Sequence, residues 1–251
     1  METILITGGN GAMASRIIRH FKSQFKFISL DVHEKVSGNL LDLEVLYYKC
    51  DICDLNDLIR VKKEIKKNKV KIVSIINSAA LDFVPGSTEC DYYSSETAMR
   101  VINVNVVGAM NVIEIFRSDI LENKVNIINV SSIYSKIPPD QSIYKDIIMK
   151  TGEQFRKPIY YGLSKAALNY VTKFYVNELS CYGVRVNTLI LGGIEANQPD
   201  SFKERYNAKI PLGRMANWDD ILNAFRFLLS NDSSYVNGVE LTIDGGLLCS
   251  Y

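Results

Sequence analysis

The chain has 251 residues, 47% of them hydrophobic, and a formal net charge of +1, which suffices for one large α/β domain or two small ones. So balanced a charge gives no electrostatic reason for nucleic acid or a membrane surface to be the main partner. Met1-Glu2-Thr3 leads straight into an apolar run without a basic leader, and no apolar stretch is read as reaching the roughly 20 residues of a membrane span, so a soluble, cytoplasmic protein is expected.

Thr3–Thr7 is a short β-branched run, as expected of a strand buried on both faces. A Gly-rich turn follows, and Ser15–Phe21 has a helical apolar rhythm. The turn reads G-x-G-x-x-A through Gly9, Gly11 and Ala14. Small residues there let the backbone approach a pyrophosphate at the helix N-terminus, where free N–H groups attract anions. A second strand, Phe25–Leu30, ends at Asp31, 20 positions beyond Gly11. An acidic residue in that register can bond the adenosine ribose hydroxyls and would repel a 2′-phosphate, which favours NAD over NADP. Neither Val32 nor His33 supplies a cation for the extra phosphate.

Glu34–Asp42 reads as a loop or short irregular helix, Val45–Lys49 as a third strand, and Leu55–Asn68 as a lysine-rich amphipathic helix with a solvated face. Lys71–Asn77 is a fourth strand, and small residues again follow it in Ser78-Ala79-Ala80. Leu81–Ser95 reads as a loop and Thr97–Phe116 as one long helix, with Val101, Asn105, Gly108 and Val112 along a stripe. Lys124–Val130 is a fifth strand, followed by Ser131-Ser132 and a long polar loop. Pro158–Tyr182 is a helix, Gly183–Ile190 a sixth strand, Leu191–Met215 a loop, Trp218–Leu229 a helix and Val239–Ile243 a last strand. Alternation to the end predicts an α/β protein with one doubly wound parallel sheet of about seven strands and helices on both faces.

The long helix carries Tyr161-x-x-x-Lys165, a spacing that stacks a phenol and an ammonium on one face. A cation beside a phenol favours the phenolate and lowers its pKa from about 10. Taken alone, such a pair is more often a packed ring beside a solvated amine. Of the five cysteines, only Cys50 and Cys53 have ligand-like spacing, and His20 and His33 stand alone. A zinc site needs about four ligands, so no metal is expected.

In order, Thr7-Gly8-x-x-Gly11, Asp51, Asn77-Ser78-Ala79-Ala80, Asn105, Ser132, Tyr161-x-x-x-Lys165 and Asp244-Gly245-Gly246 resemble the landmarks of the short-chain dehydrogenase/reductase family over essentially the whole chain. The resemblance implies a single Rossmann-like domain over residues 1–251 and an NAD(P)-dependent oxidoreductase. It also implies roles. Tyr161 would exchange the proton with the substrate oxygen, and Ser132 would hydrogen-bond that oxygen. Lys165 would hold the nicotinamide ribose and depress the Tyr161 pKa. Asn105 would anchor a water relaying protons to Lys165. Asp51 would bind the adenine amino group, and Asn77 would support the sheet and the cofactor ribose. Gly8, Asn10, Gly11, Met13, Asp31, Ile52, Ala79 and Ile194 complete the implied cofactor set, with Tyr161 and Lys165 shared between both sets. A homodimer or homotetramer is implied as well.

The chain departs from the family pattern at Ala14, Ala80 and Leu191, where glycine, glycine and proline are usual. The segment 133–158 between Ser132 and Tyr161 is about twice the usual length. It carries Tyr134, Tyr144, Lys136, Lys145, Lys150, Arg156 and Lys157, and long loops in compact domains tend to be functional. An extended loop at the substrate mouth, covering a polar substrate, whether anionic or not, is therefore one expectation; a surface or oligomer-contact loop is the other. Residues 191–215 are expected to form a substrate lid. The wording around Ser131–Tyr134, Tyr161–Lys165 and Gly192–Ile194 with Asn197–Pro199 resembles the subgroup found with bacterial flagellin-modification and legionaminic-acid-type pathways. That implies a sugar or sugar-phosphate substrate. A nucleotide-sugar epimerase or dehydratase with retained NAD, and a non-catalytic NAD-binding protein, remain as alternatives.

Overall fold

The computed structural model describes residues 1–36, 38–82, 94–149 and 152–251. Seven parallel strands form one sheet in the order β3-β2-β1-β4-β5-β6-β7. The strands are β1 (Thr3–Thr7), β2 (Lys26–Asp31), β3 (Val45–Lys49), β4 (Ile72–Asn77), β5 (Asn126–Ser132), β6 (Arg185–Leu191) and β7 (Glu240–Ile243). Strand order reverses between β1 and β4, and open sheets of this kind bind ligands in the crevice at that point, outside the carboxyl ends of the strands.

Alternation along each central strand divides the core between the two faces. Leu5 and Ile127 point into a cluster with α2 (Leu55–Lys67), α4 (Ala109–Ile115) and α6 (Ile159–Leu179). Ile4, Ile6 and Ile128 point the other way, to α1 (Ala12–Phe21) and α8 (Trp218–Leu229). Complete burial on both faces explains why these strands read as unbroken apolar runs rather than alternating ones.

Four expectations change. The helix expected over 97–116 runs from Ser95 to Ile115 but is not uniform: α3 (Ser95–Ile102) passes through a π-helical turn, Asn103–Gly108, into α4. This run is also long and apolar enough to cross a membrane by length and composition. The sequence reading missed it because asparagines interrupt it, and here Val101, Val106 and Val112 are core residues. Strand β5 continues to Ser132, since its ladder with β6 persists to the pair Ser132 and Leu191. The described residues of the segment 133–158 do not form a polar loop. They hold short 3-10 turns at Ile133–Ser135 and Gln141–Tyr144, a bridge between Ile148 and Gln154, and a buried cluster of Ile133, Ile143, Tyr144 and Phe155. The expected lid contains a helix, α7 (Asp200–Asn207), whose Phe202 and Tyr206 join that cluster. The loop expected over 81–95 lies outside the described residues from 83 to 93.

One close approach fixes the long helix to the segment before it. A Cβ on Gly162, in the first turn of α6, would lie 2.7 Å from the Tyr134 carbonyl oxygen. Backbone cannot yield as a side chain can, so Gly162→Ala is expected to destabilise the protein by about 1–3 kcal/mol. Urea unfolding of the variant against the parent checks this, and an unchanged midpoint would contradict the contact.

Candidate active site

The first half of the site lies where β1 and β4 diverge. Gly8 has a positive φ of 69°, and a Cβ there would come within 2.8 Å of the Ala79 Cα. Only glycine allows the turn to pass so close to the β4 exit. The Thr7 hydroxyl accepts from Ser78 N (3.1 Å) and Ala79 N (3.0 Å), tying the two strand ends together. Gly11 caps α1 without a side-chain hydrogen bond, and the first helical turn has no acidic residue. The positive end of the helix is thus left for an outside anion. A cavity of about 410 Å³ opens here. Of the residues that the family resemblance implies for the cofactor, Gly8, Gly11, Met13, Asp31, Asp51, Ile52 and Ala79 line this cavity, and so does Ala80.

Asn10, Asn77 and Ile194 do not line this cavity. Asn10 instead shapes the turn: its N–H donates to Asp31 Oδ2 (2.9 Å), and its amide donates to the Lys35 carbonyl and the Tyr47 hydroxyl. Asn77 is buried in the sheet, donating to Asn129 Oδ1 at 2.8 Å. Ile194 packs with the cluster under α8 and pairs with Ala216. The other oxygen of Asp31, Oδ1, accepts from His33 N (3.1 Å) and meets His33 Nδ1 at 2.5 Å. This contact was not foreseen, although an Asp bonding the backbone two residues on is a recurrent local motif. Asp51 Oδ1 accepts from Cys53 N at 2.8 Å. Burial raises the Cys50 and Cys53 thiols to about 12, which makes them poor thiolate ligands.

The second half gathers around α6. Ser132 ends β5, where its hydroxyl accepts from Tyr134 N (3.3 Å). Tyr161 and Lys165 stand one turn apart on α6. Lys165 is 3% exposed; its ammonium donates to the Val130 carbonyl (2.8 Å) and lies 5.9 Å from the centre of the Tyr161 ring. Burial lowers its pKa to about 8, while the carboxylate of Asp82 raises it. The lowering of the Tyr161 pKa expected from Lys165 is not the net result in this geometry. Burial pushes the phenol up, Asp82 adds to that, and a hydrogen bond with Ser132 opposes it.

Asn105 is 1% exposed in the π-helical turn. Its Oδ1 accepts from Leu81 N (2.7 Å), and its Nδ2 donates to the Leu81 carbonyl (3.0 Å) and Ser164 Oγ (2.9 Å). Both amide hydrogens are committed, so holding a water for Lys165 does not fall to them. What the side chain does is join the exit of β4 to the helix carrying Tyr161 and Lys165.

A second cavity, of about 440 Å³, has Ser132 and Tyr161 in its wall, together with Tyr134, Tyr144 and Tyr206. Of the basic residues noted in 133–158, Lys157 reaches it; Lys136 turns away to pair with Glu240 on β7, and Lys150 is outside the described residues. Lys157 Nζ donates to both oxygens of Asp82 at 2.6 Å and lies 4.8 Å from the centre of the Tyr161 ring. Neither the pairing nor Asp82 itself was foreseen, because the two residues lie 75 positions apart.

The chain is similar to known proteins over most of its length. A family model described as enoyl-(acyl carrier protein) reductase matches residues 25–248. The 3alpha-hydroxysteroid dehydrogenase of Mediterraneibacter gnavus is 29% identical over 97% of this chain and 96% of its own. The post-translational flagellin modification protein A of Campylobacter coli is 35% identical, over 48% of this chain and 45% of that protein. The crystal structure of a short chain dehydrogenase from Leptospira borgpetersenii with bound NAD+ superposes with a TM-score of 0.84 at 29% identity, covering 98% of this chain and 92% of that one.

The buried Lys165 has a consequence for stability. Its folded pKa of about 8 lies below its ordinary value of 10.5. Below about pH 8 both folded and unfolded chains hold the proton, so the folded state bears the full cost of burying the charge. Between about 8 and 10.5 the unfolded chain binds more protons, so stability rises with pH and the cost is gone above 10.5. Lys165→Met is expected to stabilise the cofactor-free protein at pH 7 by about 1–3 kcal/mol, with the gain shrinking toward pH 10. Paired urea titrations at pH 7 and pH 10 measure it; a gain that grew with pH would refute the assignment.

Proposed function

This chain belongs to the short-chain dehydrogenase/reductase family, an NAD(P)-dependent oxidoreductase acting on hydroxyl or keto groups, and on that premise we propose which residues carry the reaction and what it acts on. The observation that carries the proposal is the position of Tyr161. Its ring stands in the wall of the substrate-side cavity beside Ser132, with Lys165 buried behind it, and the Gly8 turn faces the other cavity.

NAD fits the cleft at Gly8, where a Cβ-free turn, an open helix end and Asp31 meet. When bound, it accepts or returns a hydride at the substrate carbon. The chain's own residues handle the oxygen. Ser132 and Tyr161 donate hydrogen bonds to it and stabilise the negative charge that develops there. Tyr161 passes or takes the proton. Lys165 would hold the nicotinamide ribose, and its charge beside the phenol would favour proton loss. Asn105 positions Leu81 and Ser164, and through them both sides of the site. Asp31 bonds the adenosine ribose, Asp51 and Ile52 meet the adenine, and Asn10, Met13 and Ala79 complete the turn. Asn77 supports the sheet beneath, and Ile194, in the segment 191–215, would meet the cofactor from the other side.

The substrate is a polar alcohol or ketone, in this reading a sugar or sugar derivative. The similarity to flagellin modification protein A supports this, as do the hydroxyls and charges in the cavity wall. The catalytic form is a homodimer or homotetramer. Met99 and Met110, with Ile159, Leu163, Tyr170 and Phe174 on α6, are exposed apolar residues on the helices a second copy would cover.

A panel of sugars, sugar phosphates and acidic sugars, read by NADH absorbance, tests the substrate class. With any substrate it yields, Tyr161→Phe is expected to lower turnover by about 10²–10⁴ while NAD+ affinity stays largely intact. Unchanged turnover would remove Tyr161 from the mechanism. Asp31→Ala is expected to lower the preference for NAD+ over NADP+ by at least about tenfold; equal selectivity before and after, by cofactor titration, would remove Asp31 from the ribose site.

A further inference from the structure

The Lys157 and Asp82 pair has no place in the chemistry above. Yet it is built with care into the cavity where that chemistry occurs. The Lys157 side chain is 6% exposed and that of Asp82 30%. Taking the Lys157 ammonium out of water costs desolvation, and an ion pair made at that cost contributes little net stability over apolar packing. Here an amide also clamps the backbone at Lys157, and another clamps it at the residue before Asp82. Gln141 donates to the Lys157 carbonyl (3.1 Å) and accepts from the Lys157 N–H (2.9 Å). Asn105 does the same to Leu81, the residue before Asp82. Two reciprocal clamps, from different elements, thus set the ammonium and the carboxylate side by side in a cavity wall shared with Ser132 and Tyr161.

The charges in that wall decide what it reads. Among the described lining residues, Lys157 supplies the one cation and Asp82 the one carboxylate, so they cancel. An anionic group beside the reacting carbon would gain Lys157 only by facing Asp82. A hydroxyl suits both at once: it donates to the carboxylate and accepts from the ammonium. Resting on the oxidoreductase reading above, we propose that Lys157 and Asp82 are specificity-determining residues that bind the neighbouring hydroxyl of a vicinal diol. The substrate class is then a polyol with no charge next to the reacting carbon. Ser132 and Tyr161 hold the carbinol that reacts, and the pair holds the next one. In oxidation the reacting C–H leaves as hydride to NAD+ and its O–H proton leaves through Tyr161. The C–O bond becomes C=O, the neighbouring hydroxyl is unchanged, and the product is an α-hydroxyketone.

Three probes on one skeleton test this: cyclohexane-1,2-diol, cyclohexanol and 2-hydroxycyclohexanecarboxylate. Each is measured for NAD+-dependent turnover and for calorimetric binding to the NAD+-loaded enzyme. The diol is expected to exceed both others by about tenfold or more in kcat/KM or affinity, as a hydrogen bond to a charged group allows. In Asp82→Asn, and in the doubly neutral Asp82→Asn/Lys157→Met variant that leaves no unpaired charge, the ratio of diol to cyclohexanol collapses toward one. The collapse appears in KM more than in kcat, a split that a merely structural pair would not give. Thermal unfolding and NAD+ affinity of the variants show that they are folded. No preference for the diol in the parent enzyme, or a preference that survives in both variants, overturns the inference. Undiminished turnover in Tyr161→Phe would instead overturn the reading on which it rests.

Discussion

The side-chain amide of Asn105 is the constraint on which the geometry of the site depends. It is almost fully buried, and an unsatisfied amide there would cost about 1–3 kcal/mol for each group left unpaired. It is satisfied only by a strand exit, through Leu81, and a helix, through Ser164. The π-helical turn around it is the local deviation that lets one helix supply the amide at this point; such turns recur at functional sites. Ser164 in turn donates to the Tyr161 carbonyl (2.7 Å). A second buried polar chain continues under α6: Asn77 to Asn129, Asn129 to Thr172, and Thr172 to Thr188. Apolar packing alone leaves a helix free to slide on a sheet by small amounts, whereas these bonds fix its position and rotation.

The two buried lysines show opposite solutions to one problem. Lys157 has its counter-charge in place, and the cost of burial is offset within the resting protein. Lys165 has a carbonyl oxygen as its partner, a dipole rather than a charge, and its pKa falls accordingly. A cation kept in an unfavourable setting is the arrangement expected where the setting changes during use. The same burial that lowers Lys165 raises Tyr161, so in the resting protein the proton stays on the phenol. The proposed proton-transfer unit of Tyr161 and Lys165 therefore needs its full complement of partners before it is poised.

Local patterns made the scaffold legible. Strands buried on both faces, the Gly-rich turn and the spacing of Tyr161 and Lys165 are all short-range, and each constrains backbone or face directly. Asp31 was readable for the same reason, as a strand end in register with the turn. The wall of the second cavity was not. Ile143, Tyr144 and Phe155 are buried without helical or strand period, so the segment reads as polar from its lysines. Which lysine faces inward is a matter of chain direction: Lys136 and Lys157 are equally basic in the sequence, yet one meets Glu240 and the other Asp82. The π-helical turn was invisible because the apolar stripe continues through it.

That unread wall is also physically separate from the nucleotide half. Ile133, Tyr144, Phe155, Phe202, Tyr206 and Met215 form a small core of their own, with the Tyr144 ring tilted against those of Phe155 (centroids 5.2 Å apart) and Phe202 (5.4 Å). Arg205 on α7 clasps it from outside by donating to the Ile143 carbonyl, and Lys209 pairs with Asp140 at 2.5 Å. It meets the sheet at the carboxyl end, through Ile190 on β6. Volume changes in a packed core are felt by its immediate neighbours, so substitutions in this cluster reshape the second cavity while leaving the Gly8 cleft and the Asn105 junction in place. The division explains why the sequence could speak for the Gly8 turn and for the shared helix face of Tyr161 and Lys165 and yet say little of the second cavity. The first two are held by a backbone geometry that few residues permit. The third is written in a satellite core where many apolar sets would pack, and where the Lys157 and Asp82 pair stands out because packing alone does not call for it.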